Sequence, residues 1–320
     1  MAGGQERILR RRIKSIQSTQ KITRAQELIA ASRIVKAQAA VVAAQPYCEA
    51  ITQVVADLAA SGAATTSPLL APRPETRRVA YIVVAADRGL CGAYNSSVIR
   101  TAERLLLARR AQGLDYSLLL VGRKAESYFR YREYAIDGAF TGFTEQPSFE
   151  NARPVGAAAT AAFLDGHTDR VEIVYTRFLS AGVQEVAVET MVPLERVEGE
   201  AGVHAAYEFE PSAEGILDLL LPRYVDSRIY AAMLNAAASE HTARQRAMKA
   251  ATDNAEDLMT NLTRVMNRAR QDAITTEIME IVGGAEALRH GGEGGEGEHY
   301  VPGPMPTERD YFAMTGHSPS

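Results

Sequence analysis

The chain has no tryptophan, only two cysteines, and 7% aromatic residues. So little aromatic surface argues against an aromatic-lined ligand pocket or a base-stacking platform. Cys48 and Cys91 stand in neither a CxxC nor a metal-ligand spacing, which excludes a disulfide scaffold and fits a reducing compartment. Long uncharged runs are missing as well. The longest, Leu58–Pro72, is broken by Gly, Ser, Thr and Pro, so no transmembrane helix fits in it. The N-terminal residues MAGGQERILRRRIK have no apolar core behind their charges and do not read as a signal peptide. A net charge of −4 over 320 residues gives the molecule as a whole no pull toward nucleic acid or an anionic membrane. What is present, 46% apolar and 23% charged residues, is the composition of a soluble, ordered protein.

Signatures of catalysis are equally scarce. His167, His204, His241, His290, His299 and His317 are scattered, with no HExxH and no Cys/His cluster, so no metal site is expected. No GxGxxG or GxxxxGK[ST] occurs. No cofactor is expected either. The segment Asp87-Arg88-Gly89-Leu90-Cys91-Gly92 does sit between an expected strand and an expected helix, where phosphate loops lie. Without the phosphate-facing lysine it reads better as a tight turn, and Cys91 as a structural thiol.

Gly and Pro are distributed unevenly. Residues 5–45 and 223–282 contain neither. Leu9, Ile13, Ile16, Gln20 and Thr23 step by four and three, as do Leu28, Ala31, Val35, Gln38 and Val42. Ala251, Ala255, Leu258, Leu262, Val265 and Ala269 repeat the alternation, and Ile274, Ile278, Ile281, Ala285 and Leu288 resume it after a phase shift. This is the stripe of a coiled-coil seam, weakened by its small and polar members. If the two helices run antiparallel from one base, the longer outreaches the shorter, and about Arg270–Leu288 is left without an intrachain partner.

The middle alternates strand and helix. Arg78–Ala85 is a continuous β-branched run suited to a strand covered on both faces. Helix follows from about Asn95 to Arg110, then strand at Leu118–Val121, helix near Arg123–Arg132 and at Phe149–Leu164, and a strand pair at Val171–Phe178 and Glu185–Val192. That order predicts a small α/β, Rossmann-like layer fold with a mostly parallel sheet. The expected organisation is a helix over 1–60, a Pro/Ala/Thr-rich linker over 61–76, the α/β domain over 77–211, a second long helix over 212–288, and a disordered Gly/Glu/Pro-rich tail over 289–320.

The first forty residues carry Arg7, Arg10, Arg11, Arg12, Lys14, Lys21, Arg24, Arg33 and Lys36 against Glu6 and Glu27. Such a helix suits nucleic acid or anionic lipid, or passage through an acidic protein surface. Three readings therefore stand at this point: a mechanical or assembly protein, a coiled-coil adaptor with a nucleic-acid-binding helix, and a nucleotide-dependent α/β enzyme built on the turn.

Three colinear stretches narrow the choice. IKSIQSTQKITRAQELIAASRIVKAQ at 13–38, DRGLCG at 87–92, and the segment from Ser239 to Leu288 resemble the γ subunit of F-type ATP synthase, bacterial type. The resemblance implies an antiparallel coiled coil of the terminal helices turning inside a ring of three α and three β subunits. The α/β domain would be a foot resting with ε on the membrane c-ring, and the chain would have no catalytic residues of its own. It implies coupling positions at Lys21, Thr23, Gln26 and Glu27, at Glu240 and Arg244, and at Arg270, Gln271 and Thr275. Gln26 stands where Met is common in the family, Met266 where Tyr is common, and Asp272 where a small residue is common. Ile274, Ile278 and Ile281 are the apolar contacts expected to enter the ring. Without a transit peptide, the expected location is peripheral, on the cytoplasmic face of a bacterial plasma membrane.

Overall fold

A computed structural model of the chain describes residues 2–60, 69, 70, 73, 75–193 and 213–290. Most of the expected linker, the segment 194–212 and all of the tail after His290 lie outside the described residues. The chain divides into two compact units, residues 1–11 with 262–320, and residues 12–261.

The larger unit holds a five-stranded sheet. In chain order its elements are β1 (Arg78–Val84), α2 (Tyr94–Ala111), β2 (Asp115–Val121), α3 (Arg123–Tyr131), β3 (Gly138–Phe140), α4 (Phe149–Leu164), β4 (Arg170–Phe178) and β5 (Gln184–Val192), flanked by α1 (Ala2–Ala60) and α5 (Ala213–His290). The strands lie in the order β3-β2-β1-β4-β5, with β1 parallel to both β2 and β4, β3 parallel to β2, and β5 antiparallel to β4. The expected α/β layer fold with a mostly parallel sheet is therefore present. The three-residue strand β3 was not foreseen, because Gly-Ala-Phe carries no strand periodicity.

Both faces of the sheet are buried, which is why β1 reads as an unbroken apolar run. Ala80, Ile82 and Val84 point into a core shared with Ile51, Val55 and Leu58 of α1, Val155 and Phe163 of α4, and Leu217, Leu221 and Ile229 of α5. Val79, Tyr81 and Val83 point the other way, against Val98, Ala102 and Leu106 of α2 and Phe129 of α3. The period of two along one strand thus serves two cores. Ser148 starts α4 with a capping box, its side chain bonding the Asn151 amide while the Asn151 side chain returns to the Ser148 amide.

Both long helices pass through a proline, Pro46 in α1 and Pro222 in α5. The seam along α1 keeps the phase set by Leu9, Ile13, Ile16, Gln20 and Thr23, and continues at Glu27, Ala30, Ile34, Ala37, Val41, Ala44 and Cys48. The second stripe expected from the sequence is thus displaced by one residue. Leu28, Val35 and Val42 are 59, 67 and 66% exposed. The inward set includes Ala30, Ala37 and Ala44, and the space between α1 and α5 beside Val41, Ala44 and Cys48 is incompletely filled. Leu28 is turned outward, and the buried Glu27 takes its place in the line. A similar correction applies to α5: Ala255, Met259, Leu262, Met266, Ala269 and Ala273 form the covered line, while Leu258 and Val265 are exposed.

In the smaller unit that line ends at Ala273. From Ile274 to Arg289 every α5 residue is exposed.

Candidate functional site

The turn after β1 is used by the chain itself. Asp87 leaves β1 with its carboxylate accepting hydrogen bonds from the amides of Gly142 (2.9 Å), Thr144 (3.1 Å) and Arg123 (3.1 Å) and from the Thr144 hydroxyl (3.1 Å). The Arg123 amide is at the start of α3, so a carboxylate occupies the place at a helix N-terminus where a phosphate would sit. Burial pushes Asp87 up, but the amides of Gly142, Thr144 and Arg123 outweigh it and hold the carboxyl below its ordinary value. The Asp87 amide in turn donates to the Thr144 hydroxyl at 2.9 Å. One aspartate thereby fixes the loop between β3 and α4 against the turn.

Two positions in the turn, Leu90 at φ 61° and Gly92 at φ 57°, are left-handed. They bring the Gly89 carbonyl to Nη2 of Arg244 at 3.3 Å and bury Cys91 beside Tyr94 and Ala243. Burial pushes the Cys91 thiol up, the wrong direction for a nucleophile. The structural reading of Cys91 is the one its surroundings support.

Around Arg244 is a buried charge cluster. Arg244 donates to Glu240 Oε1 at 2.7 Å within α5, and the two side chains are 7 and 1% exposed. The other Glu240 oxygen is buried with no hydrogen-bond partner. Burial, reinforced by Glu145 and Asp87 and opposed by Arg244, pushes Glu240 up to about 7. His241 Nε2 lies 2.9 Å from the Glu145 carbonyl, and its Nδ1 lies 3.5 Å from Arg244 Nη1. The neutral tautomer protonated on Nε2 satisfies both contacts. Burial lowers the His241 pKa, with Arg244 and Arg33 adding to the effect. Glu145 also contacts Arg33 of α1, Arg244 at 3.7 Å and Arg88 of the turn at 3.6 Å.

The sequence-derived positions fall into two groups. Thr23 shares a 2.8 Å hydrogen bond with Thr252, Glu27 is buried and paired with Arg24 at 3.0 Å, and Glu240 and Arg244 are internal. Lys21, Arg270, Gln271, Ile274, Thr275, Ile278 and Ile281 are exposed, and Gln26 is half-buried. Asp87 and Gly89 of the turn meet the charge cluster, whereas Arg270–Ile281 belong to the smaller unit. Glu145, His241 and Arg33 complete the cluster without having been singled out for it. They lie in three separate segments, and no spacing rule connects them.

Among the described residues, no group of His, Cys, Asp or Glu could hold a metal ion, and no helix is long and apolar enough to cross a membrane.

Residues 5–288 match the ATP synthase family. The chain is 51% identical over 296 residues to the ATP synthase gamma chain of Frankia casuarinae, covering 90% of this chain and 99% of that one. It is 50% identical over 298 residues to the ATP synthase gamma chain of Kineococcus radiotolerans, covering 90 and 98%. Among solved structures it resembles a chain of the Euglena gracilis mitochondrial ATP synthase in an assembly of OSCP, F1 and c-ring. There the TM-score is 0.65 at 18% identity, over 93% of this chain and 99% of that one. A chain from the central stalk and c-ring of the Tetrahymena thermophila enzyme gives 0.57 at 23% identity, over 72 and 99%.

Proposed function

The chain belongs to the ATP synthase γ-chain family, and from that premise we propose its place in the motor. It is the central-stalk rotor subunit, coupling c-ring rotation to the conformational cycle of the β catalytic sites. Residues 1–60 and 212–288 are its shaft helices, 77–211 its foot, 61–76 a linker and 289–320 a tail. Its partners are the α3β3 ring, ε and the c-ring. It stays peripheral on the cytoplasmic face of the plasma membrane, held there through the complex.

The observation that carries this reading is the contrast along α5. Ala255, Met259, Leu262, Met266, Ala269 and Ala273 are covered, and Ile274, Ile278 and Ile281 beyond them are 44, 55 and 67% exposed. An apolar load on an uncovered helix favours burial by another protein. Lys21, Gln26, Arg270, Gln271 and Thr275 are the polar residues assigned to the ring-facing surface. Thr23, Glu27, Glu240 and Arg244 serve coupling from inside: Thr23 bonds Thr252 across the helix pair, Arg244, paired with Glu240, ties α5 to the foot, and Glu27 is buried on α1.

A non-catalytic role fits the same geometry, because the carboxylates and the histidine of the cluster are engaged with the chain's own arginines and amides. The nucleic-acid adaptor reading finds no support among the relatives, and a nucleotide enzyme is disfavoured because Asp87 fills the helix terminus that a phosphate would need. The test is isolation of the tagged chain from its source in mild detergent, with mass spectrometry of what accompanies it. Stoichiometric α, β, ε and c subunits are expected. Recovery without them, together with a salt-dependent mobility shift on nucleic acid, would overturn the assignment.

A further inference from the structure

A 290 Å³ cavity lies between the β3–α4 loop and α1, walled on one side by Glu145, Gln146 and Pro147 and on the other by Arg33, Lys36, Ala37 and Ala40. A second, of 260 Å³, separates α1 from α5 at Val41, Ala44, Cys48, Ala231 and Leu234. Over this span α1 is not held by close packing, and an imperfectly filled interface yields under load more easily than a packed one. One side chain bridges the first gap. The Glu145 carboxylate reaches Arg33 on α1, Arg244 on α5 at 3.7 Å and Arg88 in the turn at 3.6 Å.

Its backbone is tied down as well. The Glu145 carbonyl receives His241 Nε2 of α5 at 2.9 Å. The preceding residue, Thr144, is bound through both its amide and its hydroxyl to Asp87. The loop cannot swing away to accommodate α1, so the position of the Glu145 carboxylate is set by the sheet domain. Arg33 is in turn the guanidinium that ties the α1 side of the cavity to that domain. The Glu145 side chain is 18% exposed and the Arg33 side chain 32%, so the pair is screened less than a surface ion pair.

We propose that Glu145 is a positioning residue for torque transfer. It clamps both long helices to the sheet domain, and its loss softens the joint without unfolding either part. This inference rests on the rotor reading above.

The experiment uses the assembled α3β3γε complex, fixed through the ring, with a probe on the γ foot. Angular fluctuation of the probe is recorded during catalytic pauses, alongside ATP hydrolysis and thermal melting. Glu145→Gln keeps the volume and removes the charge. The expected result is about a twofold rise in angular variance, with the hydrolysis rate and melting temperature near those of the unaltered complex. Arg33→Gln should reproduce the softening from the α1 side, and Arg33→Lys should largely restore stiffness. Arg33→Gln also carries the test if the Glu145 variant fails to assemble. Unchanged variance in the Gln variants overturns the clamp, as does softening only in proportion to a lower melting temperature. If the unaltered complex shows no rotation of the probe, the rotor assignment fails instead, which is a separate outcome.

Discussion

The hydroxyls of Thr23 and Thr252 lie 2.8 Å apart. Further along α1 the Cys48 thiol lies 3.1 Å from the hydroxyl of Ser227 on α5. The distance in residues from Thr23 to Cys48 equals that from Thr252 back to Ser227. The two helices therefore run antiparallel in one register across this span, and Pro46 introduces no slip upstream of Cys48. A seam with a fixed register transmits a twist applied at one end, whereas a slipping seam would absorb it. The polar contacts at both ends supply what the small side chains cannot, because hydroxyl and thiol pairs specify register where alanine alone would not.

Replacing Glu240 by Gln should flatten the pH dependence of stability near neutrality. Its folded pKa of about 7 lies above the ordinary 4.5, so the folded state holds a proton that the unfolded chain releases first. Stability from this group is full below the ordinary value and is lost as pH rises to about 7. The loss is on the order of 3 kcal/mol end to end. His241 works in the opposite sense, since its lowered pKa makes the fold gain as pH rises toward 6.5. Comparing melting of the two chains at pH 5 and pH 7.5 isolates the glutamate. Parallel curves would show that Glu240 stays ionised in its pair with Arg244.

Asp87→Asn should loosen the loop that carries Glu145. The amide keeps one acceptor oxygen where the carboxylate offers two, and it loses the charge facing three backbone N–H groups. A cost of about 1–3 kcal/mol is expected, because hydrogen bonds to a charged acceptor are the stronger kind. Amide exchange at Gly142 and Thr144 should quicken more than exchange in β1. Uniform exchange across the domain would mean that the loop is held by other contacts.

Gly122→Ala should be among the most damaging single changes in the sheet domain. Gly122 sits at φ 93°, and a Cβ there would lie 2.1 Å from the Ala85 carbonyl oxygen. Backbone just past the end of the central strand β1 cannot retreat as the end of a side chain could. Strain at a disfavoured φ adds to the clash, and about 3 kcal/mol or more of destabilisation follows. Denaturant unfolding of the purified chain measures it. A loss below 1 kcal/mol would mean that β1 shifts freely at its end.

The order of strands and helices is legible in the sequence because each element of the sheet domain carries its own period. The strand run at 78–84 and the helix at 149–164 need no outside information. The seam is only half legible. Leu28 looks like a better seam residue than Glu27, and hydrophobicity alone selects it, whereas it gives no preference for Val35 over Ile34 or for Val42 over Val41. The line that α1 turns inward is decided by tertiary packing, which no periodicity within α1 records. The Glu145 cluster is not legible at all, since Arg33, Asp87, Glu145 and Arg244 are brought together by tertiary folding and share no local pattern. Here charge and burial matter jointly, and burial is not written in any one segment.

Substituting Ser for Ile274, Ile278 and Ile281 together separates a free-standing helix end from an internal core. All three are exposed in the chain alone, at 44, 55 and 67%, with Met279 and Val282 beside them at 69 and 54%. Ser and Ile have similar helix propensities, so the isolated subunit should melt within about 0.5 kcal/mol per site of the unaltered one. Inside an enclosing α3β3 sleeve the same side chains are desolvated, and each would forfeit roughly 1.5–3 kcal/mol if fully covered. The two environments thus predict opposite sensitivities for one variant. Melting of the lone subunit is compared with its rate of dissociation from the complex. Faster dissociation with unchanged melting is expected. A variant that melts early yet stays bound would mean that these isoleucines are buried within the chain itself, and the exposed end of α5 would no longer support the rotor assignment.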